Sequence, residues 1–302
     1  MKKIFLISAF AIISVLVFGQ QKDTSYWKTN GIIALRGSQA NFTNWAQGGE
    51  NSYAGTSSFQ LTANYQKAKL SFENVLLADL GYMIQGKDTN QITKKVDDRF
   101  EFNSKLGYSA SPKWNYTALF NFKTQFAKGY DYSKPNASYI SDFMAPAYIK
   151  LALGMDYKPK PYLSIFMSPA TIRWTKVNND RLADAGSFGL NRADSTKTGS
   201  SVSKHTRTEA GAFVRMVFTK DVAKNVNLNT KLELFSDYLK KPQNIDIDWE
   251  AIITMKVNKN LDVQIKTNLI YDDDTYIADS KGKLAPRIQF KEVMGVGYVY
   301  KF

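Results

Sequence analysis

Over its last third the chain alternates apolar and polar residues at period two, in runs longer than a soluble strand needs. From Ile245 to Val257 the odd positions Ile245, Ile247, Trp249, Ala251, Ile253, Met255 and Val257 are all apolar, while Asp246, Asp248, Glu250, Thr254 and Lys256 fill most of the even ones. The flanking segments repeat the pattern. Val226, Leu228, Leu232, Leu234 and Tyr238 oppose Asn227, Asn229, Lys231, Glu233 and Asp237, and Leu261, Val263, Ile265, Leu269 and Tyr271 oppose Asp262, Gln264, Lys266, Asn268 and Asp272. Successive side chains of a strand point to opposite faces, so each segment has one oily face and one charged face. Strands of soluble proteins run about 5 to 6 residues, whereas runs of roughly 12 suit tilted strands that cross a bilayer and continue past it.

Carried backwards, the same reading predicts about twelve strands, near 27–40, 51–66, 69–85, 97–110, 114–127, 146–158, 161–174, 207–219, 225–239, 244–257, 261–274 and 288–302, with ends good to about 2 to 4 residues. Arg36, Asn74 and Pro169 interrupt the alternation in whichever phase is chosen. Short turns near 66–68, 111–113, 158–160 and 258–260 alternate with longer polar loops near 41–50, 86–96, 128–145, 175–206 and 275–287, as in outer-membrane barrels. The tight connection from Lys240 to Gln243, on the long-loop side, is the exception. Aromatic residues gather where the strands should meet the two interfaces: Trp27, Tyr65, Tyr108, Trp114, Tyr157 and Tyr162 near one rim, and Tyr82, Phe126, Trp174, Tyr238 and Tyr271 near the other. Val296, Tyr298, Tyr300 and Phe302 alternate on one face of the last strand, which resembles the terminal strand by which outer-membrane barrels engage their insertion machinery. The expected fold is all-β: a transmembrane antiparallel β-barrel of about twelve strands, its termini on the periplasmic side.

The N-terminus carries an address. Lys2 and Lys3 precede an apolar run from Ile4 to Phe18, then Gly19 and a polar stretch, with Val17 and Gly19 at the two positions a signal peptidase reads. The expected organisation is a signal peptide over 1–19 and a barrel over 20–302, exported through the Sec pathway to the bacterial outer membrane. The apolar run is short for a spanning helix, and none of the later segments is long and apolar enough for one.

Composition then removes whole classes of function. The 302 residues include no Cys and one His, so thiolate chemistry, disulfides, acylated cysteine and multi-histidine metal sites are closed, and neither a cofactor nor an enzymatic activity is expected. The formal charge of +13 fits an exterior that meets lipopolysaccharide phosphates, since the lysines are dispersed and no nucleic-acid motif is present.

If the apolar face meets lipid, the polar face lines the lumen. The inward candidates are Arg99, Glu101 and Lys105 on the fourth strand and Lys123 on the fifth, followed by Lys150 and Asp156, Glu209 and Arg215, then Lys231, Glu233 and Asp237. Asp246, Asp248, Glu250 and Lys256, with Asp262, Lys266 and Asp272, complete the set. Twelve strands spaced about 4.8 Å apart and tilted about 40° enclose a backbone cylinder on the order of 24 Å across. Two fillings fit that size. One is a narrow pore whose charges select small solutes, the favoured function. The other is a salt-bridged, non-conducting interior in a barrel that serves as scaffold or subunit of an envelope complex, for which the same-face pairs Lys231/Glu233 and Arg99/Glu101 are suggestive.

The stretch from Asn44 to Ser52, Asn-Trp-Ala-Gln-Gly-Gly-Glu-Asn-Ser, resembles a family of exported Bacteroidota proteins of uncharacterised function that are predicted to form outer-membrane barrels. The residues that carry the resemblance are Trp45, Gly48, Gly49 and Asn51; it implies location and architecture, and no activity. Three further features carry weaker signals. The loop near 175–206 is polar and long, with Leu182, Phe188 and Leu190 as its only apolar anchors, and is expected to be mobile, a partner site or a constriction. His205 lies near Ser203 as in a lipase, but lacks the Asn-His-Xaa-Ser arrangement. Asp272, Asp273 and Asp274 lack the Gly-turned loop and following Glu of a calcium site.

Overall fold

The computed structural model describes residues 26–42, 50–86, 91–132, 138–190, 205–279 and 283–302. The expected signal peptide, and Trp45, Gly48 and Gly49, lie outside them. The alternating segments become β1 (Trp27–Ala40), β2 (Ser52–Lys67), β3 (Leu70–Gln85), β4 (Ile92–Ser111), β5 (Trp114–Thr124), β8 (Ala147–Lys160), β9 (Leu163–Lys176), β10 (Thr206–Ala223), β11 (Val226–Asp237), β12 (Asp246–Lys256), β13 (Leu261–Tyr271) and β16 (Gln289–Lys301). These pair antiparallel, each with its chain neighbour, and β16 returns to β1 to close a barrel. Two short hairpins are inserted in the long loops: β6 (Gly129–Tyr130) with β7 (Tyr139–Ser141), and β14 (Tyr276–Ala278) with β15 (Leu284–Pro286). Periodicity missed them because each is too short to show one.

The connections of two to four residues fall at one end of the barrel, with the first and last strand ends, and the longer ones at the other, including 238–245, which reads as tight in the sequence and runs to eight residues. Closure leaves no free edge to collect a second sheet. The outer face is the oily one: Leu35 is 61% exposed, Leu153 62% and Phe290 61%. The turn-end rim has its aromatic pairs, Trp27 against Tyr65 at 5.3 Å and Trp114 against Tyr157 at 4.6 Å. The three residues that break the alternation have separate causes. Arg36 points inward to Asp262; Asn74 turns back to donate to the Ala63 carbonyl; Pro169 sits where the register slips against both neighbouring strands, and a strand tolerates proline at such a bulge.

The connection between β9 and β10 is not loose in its described part. Asn179 caps the short helix α1 (Asp180–Asp184) by accepting from the Leu182 amide. Leu182, Ala183 and Leu190 bury against Ala145 and Val177, with Tyr139 and Phe188 packed alongside. The three apolar anchors visible in the sequence thus build a small core at the loop end, and residues 191–204 lie outside the described residues.

The closing seam is the narrowest ladder of the barrel. It runs from Ile32↔Lys301 to Gly37↔Val296, whereas β1 and β2 pair from Trp27↔Tyr65 to Ala40↔Ser52. The Arg36 side chain crosses over β16 and grips Asp262 of β13 with two hydrogen bonds of 2.9 and 2.8 Å. Glycine at 297 makes this passage possible, because a Cβ there would stand 2.0 Å from the Leu35 carbonyl and 2.7 Å from Arg36 Cγ. Gly55 has nothing within 4 Å. Gly297→Ala is therefore expected to cost on the order of 1–3 kcal/mol or prevent closure, and Gly55→Ala to be near neutral. Denaturant titration together with the heat-modifiable gel shift of folded barrels checks both.

Candidate functional site: a charged septum inside the barrel

Inward positions alternate along every strand, so the polar face of each segment is delivered to one lumen. The resulting ion pairs do not stay on one strand. Lys231 to Glu233 and Arg99 to Glu101, the pairs visible in sequence, are long, at 3.9 and 3.7 Å. The shorter contacts run between strands, some to a paired neighbour and some across the barrel. Arg99 of β4 reaches Glu250 of β12, six strands away round the wall, at 2.8 Å, and Asp79 of β3 at 2.7 Å. Lys123 reaches Asp248 at 3.1 Å and Lys231 reaches Glu101 at 3.4 Å. Lys266 of β13 lies 2.9 Å from both Asp79 and Asp97, and Lys291 2.7 Å from Asp97. Lys150 and Arg215 converge on Glu233, each at 2.6 Å. Glu101 is 1% exposed and also accepts from Asn103 and Asn121.

Toward the loop end, Arg173 bridges Glu209 and Asp246, and Arg207 joins Glu209, Asp272 and Asp274. Toward the turn end, Lys105 holds Asp156 at 2.8 Å and Glu73 at 3.0 Å. Asp262 is taken by Arg36. The remaining two candidates stand at the ends: Asp237 caps the backbone amides of Ala210 and Leu239 at the loop rim, and the exposed Lys256 lines the turn-end cavity. The loop acids are neutralised by cations. Lys240 contacts Asp274 at 2.5 Å and Lys241 contacts Asp273 at 3.9 Å, and that hydrogen bond from the Lys240 ammonium to Asp274 holds its proton more firmly than usual. Asp246, Asp272 and Asp273 come close enough together to hold a cation. Of the three, Asp246 and Asp272 already face Arg173 and Arg207.

Alternation did not reveal a second filling. Leu119, Ala152, Phe166, Phe213 and Phe235 point inward and form one buried cluster on the β5–β11 wall. Lys150 Nζ stands 4.0 Å above the Phe213 ring and the Arg173 guanidinium 4.2 Å from the Phe235 ring, which gives each cation a second partner. Phase would have found four of these: Leu119 shares its parity with Lys123, Ala152 with Lys150 and Asp156, Phe213 with Glu209 and Arg215, and Phe235 with Lys231, Glu233 and Asp237. A scan that equates apolar with lipid-facing passes over them.

Ions and rings together split the lumen. A cavity of about 120 Å³ lies on the loop side, lined by Lys123, Tyr148, Lys150 and Arg173, and one of about 370 Å³ on the turn side. His205 lies in the loop region, with Nδ1 2.8 Å from the Val177 carbonyl and Nε2 3.4 Å from Asp180. Asn51 accepts from the Phe42 amide at 2.6 Å, closing the β1–β2 connection; of the four motif residues it is the one within the described residues.

This arrangement defines an outer-membrane-type β-barrel with a filled lumen. Residues 38–130 match the model of a family described as a protein of unknown function (DUF3078). A comparison with curated protein sequences gave no match. Among solved structures, the chain is similar to an outer membrane channel from Pseudomonas putida F1, at 12% identity and a TM-score of 0.40, over 94% of this chain and 100% of that one. It is also similar to the translocator domain of the autotransporter NalP from Neisseria meningitidis, at 10% identity, TM-score 0.37, over 99% and 96%. A third is outer membrane phospholipase A from Escherichia coli, at 12% identity, TM-score 0.33, over 95% and 96%.

Lys266→Met removes a buried partner shared by Asp79 and Asp97, which keep Arg99 and Lys291, and is expected to cost about 1.5–3 kcal/mol. Lys256→Met, at the exposed turn end, is expected to change stability by less than about 0.5 kcal/mol. Urea unfolding in lipid vesicles compares the two.

Proposed function

We propose that this protein is a bacterial outer-membrane barrel with periplasmic termini whose resting lumen is shut to solutes, and that it serves the envelope as a scaffold or subunit of a larger complex. The observation that carries the reading is the septum: Arg99–Glu250, Lys231–Glu101 and Lys123–Asp248 join opposite walls by direct contact and bridge the lumen between the two cavities. The exposed apolar exterior and the signal-like N-terminus support the location and Sec export. Lipid and lipopolysaccharide cover the outer wall, and the barrel insertion machinery takes the last strand. A hydrolytic role is disfavoured, because the contacts of His205 among the described residues are the Val177 carbonyl and Asp180, with no hydroxyl nucleophile among them.

Conductance of the folded chain in a planar bilayer tests this. The unaltered barrel is expected to be silent. The double variant Arg99→Ser with Glu250→Ser removes one cross-barrel pair and leaves no charge orphaned, since Asp79 keeps Lys266 and Glu101 keeps Lys231. It is expected to open discrete steps. Steps in the unaltered protein, cation- or anion-selective and shifted by Lys231→Glu, overturn the closed reading in favour of a selective pore.

A further inference from the structure

The turn-side cavity of about 370 Å³ sets an apolar wall and cationic side chains around one open volume. Its wall at the closing seam is apolar: Ile32 and Ala34 of β1 and Val299 of β16, flanked by Leu77 of β3 and Ile252 of β12. Ile252 is the one even position between Asp246 and Lys256 that is not polar, a break in the charged face placed at this cavity. Its cations differ in their commitments. Arg36, Arg99 and Lys266 are spent on carboxylates. Lys256 and Lys301 stand exposed at the turn end, and among the described residues their ammonium groups enter no ion pair.

An apolar wall beneath two uncommitted ammonium groups complements a molecule with a short alkyl chain and an anionic head. The volume falls in the range of small-molecule sites, roughly 300–1,000 Å³. A simple vestibule needs no apolar wall, and a structural filling needs no empty space. We propose that this cavity is a binding site for a small anionic amphiphile, of the class of an alkyl carboxylate of about eight carbons, entering from the turn end. The inference is independent of whether the septum conducts, because the site lies wholly on one side of it.

The test is calorimetric titration of octanoate into the full chain folded in lipid nanodiscs, with empty nanodiscs subtracted. Octanoate is expected to bind saturably at one site, with acetate and octanol each at least about tenfold weaker, a difference of about 1.4 kcal/mol. Lys256→Glu with Lys301→Glu, both on exposed positions, is expected to weaken octanoate at least about tenfold while the barrel keeps its heat-modifiable shift. Ile252→Asn is expected to weaken octanoate without strengthening acetate. Octanol or acetate binding as tightly as octanoate, or an unchanged octanoate affinity after charge reversal, overturns the proposal.

Discussion

Charge compensation inside the lumen is the constraint on which the rest depends. A soluble domain is stabilised by an apolar core, but here the apolar face is turned outward and the interior receives the charged one. An isolated ion in such a space is costly enough that it must be paired, hydrogen-bonded or neutralised. The structure answers with pairs that cross the barrel, so the filling is also a set of struts. Glu233 takes both Lys150 and Arg215, and Asp79 takes both Arg99 and Lys266. Because each group serves two partners, the network behaves as one unit, and neighbouring substitutions in it are not additive.

The inward aromatics refine this. Phe213 and Phe235 occupy positions where a further charge would need a further counter-charge. They fill space without adding to the electrostatic demand, and their faces still serve Lys150 and Arg173. The filling is therefore asymmetric: rings and crossing pairs close the loop half and centre, while the turn half retains open volume.

Legibility in the sequence followed the length of each signal. The twelve barrel strands were legible because alternation persists over ten or more residues, and β11 to β13 show it with few breaks, Phe235 and Ile252 among them. The inward direction of Arg99, Glu101, Lys123, Lys231 and Asp248 followed from phase alone. Their partners did not, because alternation states which face a residue occupies and is silent on which distant strand faces it; Arg99 and Glu250 are 151 positions apart. Arg36 read as an interruption because its function, gripping Asp262 across an intervening strand, is visible only once the sheet closes. The compact segment at Leu182 and Leu190 was half legible: its anchors stand out in the sequence, but their burial needs Ala145 from another connection as well as Val177 at the root of their own.

The Arg36–Asp262 clasp joins residues 226 positions apart, one on the first strand and one two strands back from it round the closed wall. Such a contact cannot form on a partly threaded chain; it exists only when the opening strand has met the final one in register. The clasp thus makes stability conditional on completeness. A chain cut short before β16 loses the strand that brings the two together, and with it the means to hide its opening edge, leaving β1 as an unpaired template for another strand.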